Sequence, residues 1–281
     1  MIIPLQRDHS LLQDVSLAEQ SPLSLHIWWL GQSGFLVTHN RIRVLFDPYL
    51  SDSLTRKYAN TDKPHIRLSE RVIDPALLSN IDVVTSSHNH TDHLDAETLL
   101  PIFENNPGIK MLIPEANRQF VAERLGTKID WPVGLVDGSE FVANGFSISA
   151  IPAAHEQLDQ DGLGRNLYLG FILKLGPWTL YHAGDTVRYP SLDSRLCEHS
   201  IDVALLPING RLPERRVSGN LWGREAAQLA SDISAKWVIP CHYDMFAFNT
   251  VSPREFVDEC GSLGQPFRLL QLGERISLGH E

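Results

Sequence analysis

Cysteine is scarce in this sequence and shows no pattern that suggests pairing. Cys197, Cys241 and Cys260 are the three cysteines among 281 residues. They lie far apart, are odd in number and form no C-x-x-C pair. Disulfide frameworks require an even, closely patterned set and belong mostly to secreted chains. Residues 1–15 also lack the basic start and apolar stretch of a signal peptide. We therefore expect a reduced, cytoplasmic protein without disulfides.

Long apolar runs and excess positive charge are also absent. No apolar run approaches the roughly 20 residues that a membrane-spanning helix needs, which excludes a transmembrane segment. The sequence has 24 Lys and Arg against 34 Asp and Glu, a formal net charge of −10. A surface this negative repels phosphate backbones and argues against nucleic-acid binding. This charge does not exclude a small anionic substrate, because a metal site supplies its own positive charge. A homo-oligomer is also left open.

The length and patterning predict one large α/β domain over residues 23–281, with residues 1–22 as an N-terminal extension or cap. Hydrophobic residues make up 43% of the chain, enough for a sizeable core. β-Branched and aromatic runs punctuated by Gly, Asn and Pro predict strands, and amphipathic runs predict helices. The predicted strands are 25–30, 34–37, 41–47, 81–87, 110–114, 141–143, 146–153, 167–175, 178–183, 201–207 and 236–240. The predicted helices are 95–106, 115–126, 223–234 and 253–263. Two sheets with helices outside them satisfy this order.

Two polar stretches are predicted to be functional loops. Residues 51–70 are polar and weakly periodic, and long loops of this kind often serve function. Residues 156–166 are polar and contain glycine, which is typical of a mobile lid.

The string Ser87-His-Asn-His-Thr-Asp-His93 carries the strongest chemical signal. It places four metal-ligand residues, His88, His90, Asp92 and His93, just beyond an apolar strand. Imidazole nitrogens and carboxylate oxygens suit zinc and other divalent first-row metals. In an extended segment, residues two apart point the same way, so His88 and His90 can hold one ion. Asp92 and His93 can turn toward a second ion where the chain enters a helix.

Three further ligand candidates follow predicted strands. They are His155 after SISAIPAA, Asp185 in the string YHAGDT and His242 in the string IPCHY. A lone histidine at a strand end is more often a hydrogen-bonded structural group, but together with the first motif these residues complete a two-ion site. His182 competes with Asp185 for the third position. Only a carboxylate can bridge two ions with two oxygens, which favours Asp185.

This set, H-x-H-x-D-H followed by a later His, an Asp in a G-D turn and a final His, resembles the metallo-β-lactamase superfamily from about Leu23 onward. The resemblance implies a four-layer αββα sandwich. It also implies that His88, His90 and His155 hold one ion, that Asp92, His93 and His242 hold the other, and that Asp185 bridges them. The strings IWWLGQSGF, LYHAGDT, DVALLPINGR and VIPCHYDMF are similar to the L-ascorbate-6-phosphate lactonase-like branch. N-acylphosphatidylethanolamine-hydrolysing phospholipase D carries a related H-N-H-x-D-H-L-D string.

The expected activity is hydrolysis of a small lactone or ester, with or without a phosphate group. Two ions roughly 3.5–4 Å apart can share a hydroxide and lower its pKa, so no serine or cysteine nucleophile is required. Asp92 and Asp185 are the expected catalytic carboxylates. Zinc is the default metal for this ligand set, and the lactonase resemblance adds manganese. A phosphodiesterase or phospholipase D-like enzyme, a non-catalytic metal-binding protein and a redox iron enzyme are the alternatives.

Supporting roles fall to residues near the predicted strand ends. Asp47 and Asp95 are candidates to hold ligand imidazoles; the alternatives are a turn residue before Pro48 and a helix cap. Arg211 is a candidate to bind an anionic group, although a solvated loop arginine is the plainer interpretation. Tyr243, Phe246 and Trp222 are candidates for the pocket lining, with core packing as the alternative. Tyr243 is also a candidate proton donor, and Cys241 is expected to be structural.

Overall fold

A computed structural model describes residues 1–279, and its first layer of strands is a seven-stranded mixed sheet in the order β13-β1-β2-β3-β4-β5-β6. Its strands are β1 Leu25–Gly31, β2 Gly34–His39, β3 Ile42–Phe46, β4 Val83–Thr85, β5 Lys110–Pro114, β6 Val133–Leu135 and β13 Arg275–Leu278. Strands β13 to β3 pair antiparallel, and β3 to β6 pair parallel. Most of their residues are buried, as expected for strands covered on both faces.

The second sheet has six strands in the order β12-β11-β10-β9-β8-β7. They are β7 Glu140–Ala143, β8 Phe146–Pro152, β9 Leu169–Leu175, β10 Trp178–His182, β11 Val203–Pro207 and β12 Trp237–Cys241. Strands β7 to β10 form antiparallel hairpins, and β10 to β12 are parallel. The turn at Gly145, with φ of +90°, joins β7 to β8 as its Asn-Gly sequence predicts.

Seven α-helices accompany the two sheets among residues 1–279. They are α1 Asp8–Ala18, α2 Ser53–Tyr58, α3 Ala96–Asn105, α4 Arg118–Leu125, α5 Leu192–Leu196, α6 Gly223–Asp232 and α7 Arg254–Leu263. Helix α6 packs on α7 and on β11 and β12. The sheets and helices share one large apolar core. The αββα sandwich expected from the sequence is confirmed, and no helix among these residues has the length and apolarity needed to cross a bilayer.

The N-terminal segment packs against the sandwich. Helix α1 buries Leu11 and Val15 in the shared core, and Asp14 accepts a hydrogen bond of 2.9 Å from Trp28 Nε1 on β1. The backbone N–H of Leu5 donates to the carbonyl of Leu272. The division of the chain at residue 22 stays a prediction, but residues 1–22 cover apolar surface that would otherwise face water.

The prediction of a loop over residues 51–70 was wrong in part, because α2 forms within it. Its short span and polar composition gave no apolar periodicity that could predict it. Helices α1 and α5 and the short strands β6 and β13 were also not predicted. Such short elements depend on tertiary packing more than on local propensity.

The topology brings several strand ends to one edge of the sandwich. Parallel strands end on the same side, so the segments that follow β3 and β4 lie together, as do those that follow β10 and β12. Strand β8 runs in the same direction as β10, because each pairs antiparallel with β9. Every ligand candidate named above follows one of these strands.

Candidate metal centre

The H-x-H-x-D-H segment follows β4 and places its side chains in one cluster. Three overlapping groups form, and within each group the ligand atoms lie within 4.8 Å of one another. The groups are His88, His90 and His155; His88, His93 and Asp185; and Asp92, His93 and His242. The structure thus brings together all seven ligand residues predicted from the sequence.

Asp185 lies between the histidines of the two outer groups. Its Oδ1 is 3.2 Å from His93 Nε2, and its Oδ2 is 3.2 Å from His242 Nε2 and 3.5 Å from His155 Nε2. A carboxylate in this position can offer one oxygen to each of two ions. The competitor, His182, faces elsewhere: its Nε2 donates to the carbonyl of Ser33 at 2.8 Å, and its ring stacks on Phe46.

Glycine is required in the turn that presents Asp185. Gly184 has a φ of +60°, and a Cβ there would lie 2.7 Å from the Ser87 side chain and 2.9 Å from the Leu169 carbonyl. Both contacts are shorter than real Cβ contacts allow, and the backbone is left-handed. The G-D dipeptide therefore lets β10 turn tightly against the metal-binding segment.

Backbone groups orient the two histidines that come from other strands. His155 donates from Nδ1 to the carbonyl of Gly219 at 2.8 Å, which directs Nε2 toward Asp185. His242 has a φ of +62°, and its backbone N–H donates to the carbonyl of Gln32 at 2.9 Å. A bond to the second ring nitrogen fixes the tautomer and aims a ligand histidine, as it does for His155. His242 is positioned by its backbone alone, because its Nδ1 makes no hydrogen bond among residues 1–279.

Burial favours the neutral form of His88 and His90, as it does that of His155. It lowers the pKa of His88 well below the usual value, and the neighbouring His93 and His90 add to this effect. The pKa of His90 falls to about 4, again mainly through burial. Neutral imidazole is the form that donates a lone pair to a metal, so both side chains are ready ligands at neutral pH.

Asp185 and Asp92 raise the pKa values of two other candidate ligands, His93 and His242. Burial disfavours a charge on His93 and His242, but Asp185 and Asp92 outweigh it. They raise the pKa of His93 well above its usual value and that of His242 to about 9. The pKa values of both carboxyls fall, although burial alone would raise them. Two ionised carboxylates in an enclosed site need positive charge, which protons or metal ions can supply.

Unsatisfied polar atoms show that the residues fit a divalent cation. His88 Nε2, His93 Nε2 and Asp185 Oδ1 are buried and make no hydrogen bond within the described part of the chain. Buried polar atoms nearly always make hydrogen bonds in proteins, so a converging set that makes none indicates a missing ligand. Nitrogen and carboxylate oxygen are the donors that zinc and related metals prefer.

Comparison with known proteins agrees with this geometry. A profile of the beta-lactamase superfamily domain matches residues 26–242. A protein of Opitutus terrae named UPF0173 metal-dependent hydrolase is 30% identical over 261 residues, covering 90% of this chain and all of that protein. This chain belongs to the metallo-β-lactamase superfamily, in the UPF0173 metal-dependent hydrolase family.

Two further proteins are similar to this hydrolase, one in sequence and one in fold. The mitochondrial N-acyl-phosphatidylethanolamine-hydrolyzing phospholipase D of Saccharomyces cerevisiae is 26% identical over 244 residues, covering 82% of this chain and 50% of the yeast protein. The solved structure of Igni18, a metallo hydrolase from Ignicoccus hospitalis, aligns with a TM-score of 0.67 at 22% identity. That alignment covers 92% of the hydrolase and all of Igni18, and it supports the fold.

Of the two carboxylates expected to support metal-ligand histidines, Asp47 contacts one, His93. His93 donates from Nδ1 to Asp47 at 2.7 Å, which directs Nε2 toward Asp185. Thr85 and Ser87 also donate to the buried Asp47 carboxylate. Burial would raise the pKa of Asp47, but the bond from His93 and nearby positive charge hold it lower.

Asp95 has the other role considered for it, that of a helix cap. Its carboxylate accepts from the backbone N–H of Thr98 at 3.1 Å and from the Thr98 hydroxyl at 2.6 Å, which caps α3. The Ser53 hydroxyl donates to its other oxygen. Asp95 makes no hydrogen bond to a ligand histidine among residues 1–279, so the expected ligand-supporting role is corrected to that of a helix cap.

Replacing Asp47 tests its contact with His93. Asp47→Asn keeps the shape but removes the charge, and we expect metal affinity to fall by about 10- to 100-fold. Asp95→Asn is the matched control, because it should leave metal affinity unchanged. Competition titration with a chromophoric chelator measures both variants, and equal affinities for wild type and Asp47→Asn would contradict the assignment.

The metal-ligand cluster opens on a cavity of about 480 Å³. His90, Asp92, His155, Asp185 and His242 line the part of it that the ligands form. The remaining lining includes apolar and aromatic side chains, basic side chains and small polar groups. These lining residues are Leu54, Lys57, Tyr58, His65, Asn89, Thr91, Phe120, Arg124, Arg216, Val217, Ser218, Phe246, Phe248 and Asn249.

The sequence-based substrate residues have different positions. Phe246 lines the cavity, but Arg211 and Tyr243 do not. Arg211 forms a two-pronged ion pair with Glu225, with N···O distances of 2.6 and 2.7 Å, so its guanidinium is already occupied. Tyr243 is buried against Trp29, and burial raises the pKa of its hydroxyl well above the usual value. Both expectations are corrected, including Tyr243 as the proton donor.

Trp222 and the predicted lid also lie outside the cavity lining. Trp222 directly precedes α6, and its ring packs over Gly210. Residues 156–166 fold on themselves, because Asp161 pairs with Arg165 and Gln160 bridges to Asn166. No residue of this described loop lines the cavity. The loop over residues 51–70 contributes to the lining instead, through α2 and His65.

Several residues near the centre were not singled out from the sequence. Gln32 donates from Nε2 to Asp92 at 2.7 Å, and Tyr168 packs beside the rings of His88 and His155. Gln32 lies in the turn between β1 and β2, where its φ of +50° is unusual for a side chain of this kind. The Gly-Gln-Ser-Gly string marked that turn in the sequence, but nothing local showed that the turn reaches the metal ligands.

Proposed function

We propose that this metal-dependent hydrolase uses two divalent ions to hydrolyse a small lactone or ester. The supporting observation is the pair of ligand groups joined through Asp185, with five of their residues lining one open cavity. An enclosed structural site would bury every ligand, whereas a catalytic site leaves room for water and substrate. This arrangement also argues against a non-catalytic metal-binding protein.

The chain supplies binding and orientation for the reaction. Divalent ions in such a centre polarise a substrate oxygen and lower the pKa of water toward neutrality. Gln32 holds Asp92 at the cavity, where the carboxylate can orient an attacking water. His93 is held in turn by Asp47. Burial raises the pKa of Cys241 well above its usual value, so that thiol is not a nucleophile.

Zinc and manganese are the two metals we propose. Zinc suits a set dominated by imidazole, whereas two carboxylates make manganese chemically reasonable. The donor set does not separate them, so metal identity enters the experiment as a variable.

A second candidate is a phosphodiesterase or phospholipase D-like activity. Leu54, Tyr58, Phe246 and Phe248 give the cavity an apolar wall that could hold a hydrocarbon group. The yeast relative is named for hydrolysing an acylated phospholipid. A groove that accepts lipid would favour diesters over small lactones.

Reconstitution with metal distinguishes the two candidates. The protein is stripped of metal, reloaded with zinc or manganese and assayed on a panel of γ- and δ-lactones, aryl esters and bis(4-nitrophenyl) phosphate. We expect metal-dependent turnover of lactones or esters. Turnover of the phosphodiester alone would favour the second candidate, and no turnover with either metal would contradict both.

A further inference from the structure

Carboxylates are unusually scarce in the cavity for so acidic a chain. Asp92 and Asp185 are the sole acidic side chains among the lining residues that the structure describes, and both belong to the ligand set. Three cations, Lys57, Arg124 and Arg216, line the same cavity. Both carboxylates belong to the candidate ligand set, so the charged side chains that remain to contact a substrate are basic.

The three cations differ in their partners. Arg216 pairs with Asp62 at 2.9 Å on an exposed part of the surface. Lys57 is exposed and lies over the ring of Tyr58. Arg124 is only partly exposed, and no carboxylate oxygen of residues 1–279 lies within 4.0 Å of its guanidinium.

Arg124 is fixed beside the metal ligands. Its Nη1 donates to the carbonyl of Asn89 at 2.7 Å and to the carbonyl of Leu94 at 3.2 Å. Asn89 lies between the ligands His88 and His90, so the guanidinium is attached to the metal-binding segment itself. The guanidinium also lies over the ring of Phe120, with its central carbon 4.4 Å from the ring centre. These contacts hold the side chain in one orientation.

Part of the guanidinium remains available. The bonds to Asn89 and Leu94 use Nη1, whereas Nε and Nη2 of Arg124 have no acceptor among the described residues. A guanidinium presents five N–H donors in a rigid fork that matches two oxygens of a carboxylate or phosphate. Partial burial without a counter-ion is costly and lowers the pKa of Arg124, an effect that Asp95 offsets in part.

Other arginines of the chain show that this situation is unusual. Arg43 and Arg165, which are also shielded from solvent, pair with Glu19 and Asp161 at 2.7 and 2.6 Å. Arg215 has no carboxylate partner within 4.0 Å among residues 1–279, but it donates to the carbonyls of Asn209 and Thr250 and does not line the cavity. Arg124 therefore combines access to the cavity, a fixed position and unused donors.

We propose that Arg124 is a specificity-determining residue that binds a carboxylate or phosphate group of the substrate, away from the bond that is cleaved. The inference rests on the proposed ester hydrolysis and narrows its substrates to anionic ones. The Nε and Nη2 groups supply paired hydrogen bonds to the anion, and Phe120 supports the plane of the guanidinium.

Matched esters test the proposal. 4-Nitrophenyl hydrogen glutarate carries a free carboxylate at its far end, and 4-nitrophenyl methyl glutarate carries a neutral methyl ester there. We expect wild-type kcat/KM to favour the anionic ester by about 10- to 100-fold, as one charge-assisted interaction provides. Arg124→Gln should bring this ratio close to one, and Arg124→Lys should give an intermediate ratio because the charge remains but the fork is lost.

The neutral ester and metal analysis separate recognition from damage to the metal segment. Loss of the Asn89 and Leu94 contacts would lower turnover of both esters and reduce metal content, but it would leave their ratio unchanged. Arg254→Gln, at an arginine whose side chain is 85% exposed, makes the same charge change far from this contact and should keep the wild-type ratio. A wild-type ratio retained in Arg124→Gln would overturn the proposal.

Equilibrium binding provides a readout that does not depend on turnover. Calorimetry of the metal-loaded protein with glutarate, and separately with glycerol 3-phosphate, should show binding at least tenfold weaker in Arg124→Gln for the preferred anion. The tighter ligand identifies the anion. If neither ester is hydrolysed, the proposed function fails while this measurement still decides the role of Arg124; equal affinities in wild type and variant would refute it.

Discussion

Asp185→Ala is expected to lose at least one metal ion and to reduce turnover by at least about a thousandfold. Among residues 1–279, Asp185 is the one carboxylate whose two oxygens face histidines of both outer ligand groups, at 3.2 to 3.5 Å. Its removal leaves the remaining imidazoles without the negative charge that holds the two halves of the centre together. Elemental analysis of the purified variant and steady-state kinetics measure the two effects.

The control must separate loss of the centre from loss of a negative charge. Asp258→Asn removes one charge from a side chain that is 70% exposed on α7, and it should keep metal content and turnover. Asp185→Asn adds a conservative comparison, because the amide keeps the shape but offers only one oxygen to an ion. Full activity in Asp185→Ala would contradict the bridging role and the two-ion centre with it.

Chelation of the metal is expected to lower the melting temperature by about 8 °C. Ligand at about a thousand times Kd stabilises the folded state by about 4 kcal/mol, and each kcal/mol shifts Tm by about 2 °C in a chain of this size. The buried atoms of His88, His93 and Asp185 that make no hydrogen bond become satisfied when metal binds. Scanning calorimetry with and without a chelator measures the shift.

The difference in melting temperature between the metal-loaded and metal-free protein should increase as pH rises. The pKa of His242 in the metal-free protein is raised to about 9 by Asp185 and Asp92, against the pull of burial. A proton on His242 therefore stabilises the metal-free fold below about pH 6.5, and this contribution is lost as pH rises through about 9. Metal must displace the same proton, so its affinity increases over that range. A gap in Tm that narrows from pH 6.5 to 9, or one retained in Asp185→Ala, would contradict this account.

The candidate metal ligands could be picked out from the sequence because their signal is local. Four of the seven occupy positions 88 to 93, and the other three follow apolar strands that the sequence pattern shows clearly. The resemblance to the superfamily then connected these separate segments. The family is confirmed, whereas assignment to the lactonase-like branch stays a proposal, because its flanking strings describe the β1–β2 turn and the strand ends more than a substrate.

The residues around the ligands were less predictable. Asp47 follows an apolar strand and Asp95 precedes a helix, so each could support a ligand imidazole or serve a local turn or cap. The structure places Asp47 on His93 and Asp95 on the cap of α3. Arg211 belonged to the most basic stretch of the chain, and the structure pairs it with Glu225. Arg124, on α4, was not singled out from the sequence.

The sequence by itself determined the fold class and the superfamily and singled out the candidate ligands, because hydrophobic periodicity and ligand spacing are properties of neighbouring residues. The tertiary structure alone decided which side chains share the cavity. His65, Arg124 and Phe248 come from three distant segments, and they meet because parallel strands deliver the following loops to one edge of the sandwich. Contacts between such loops depend on the packing of the two sheets, which no local pattern records.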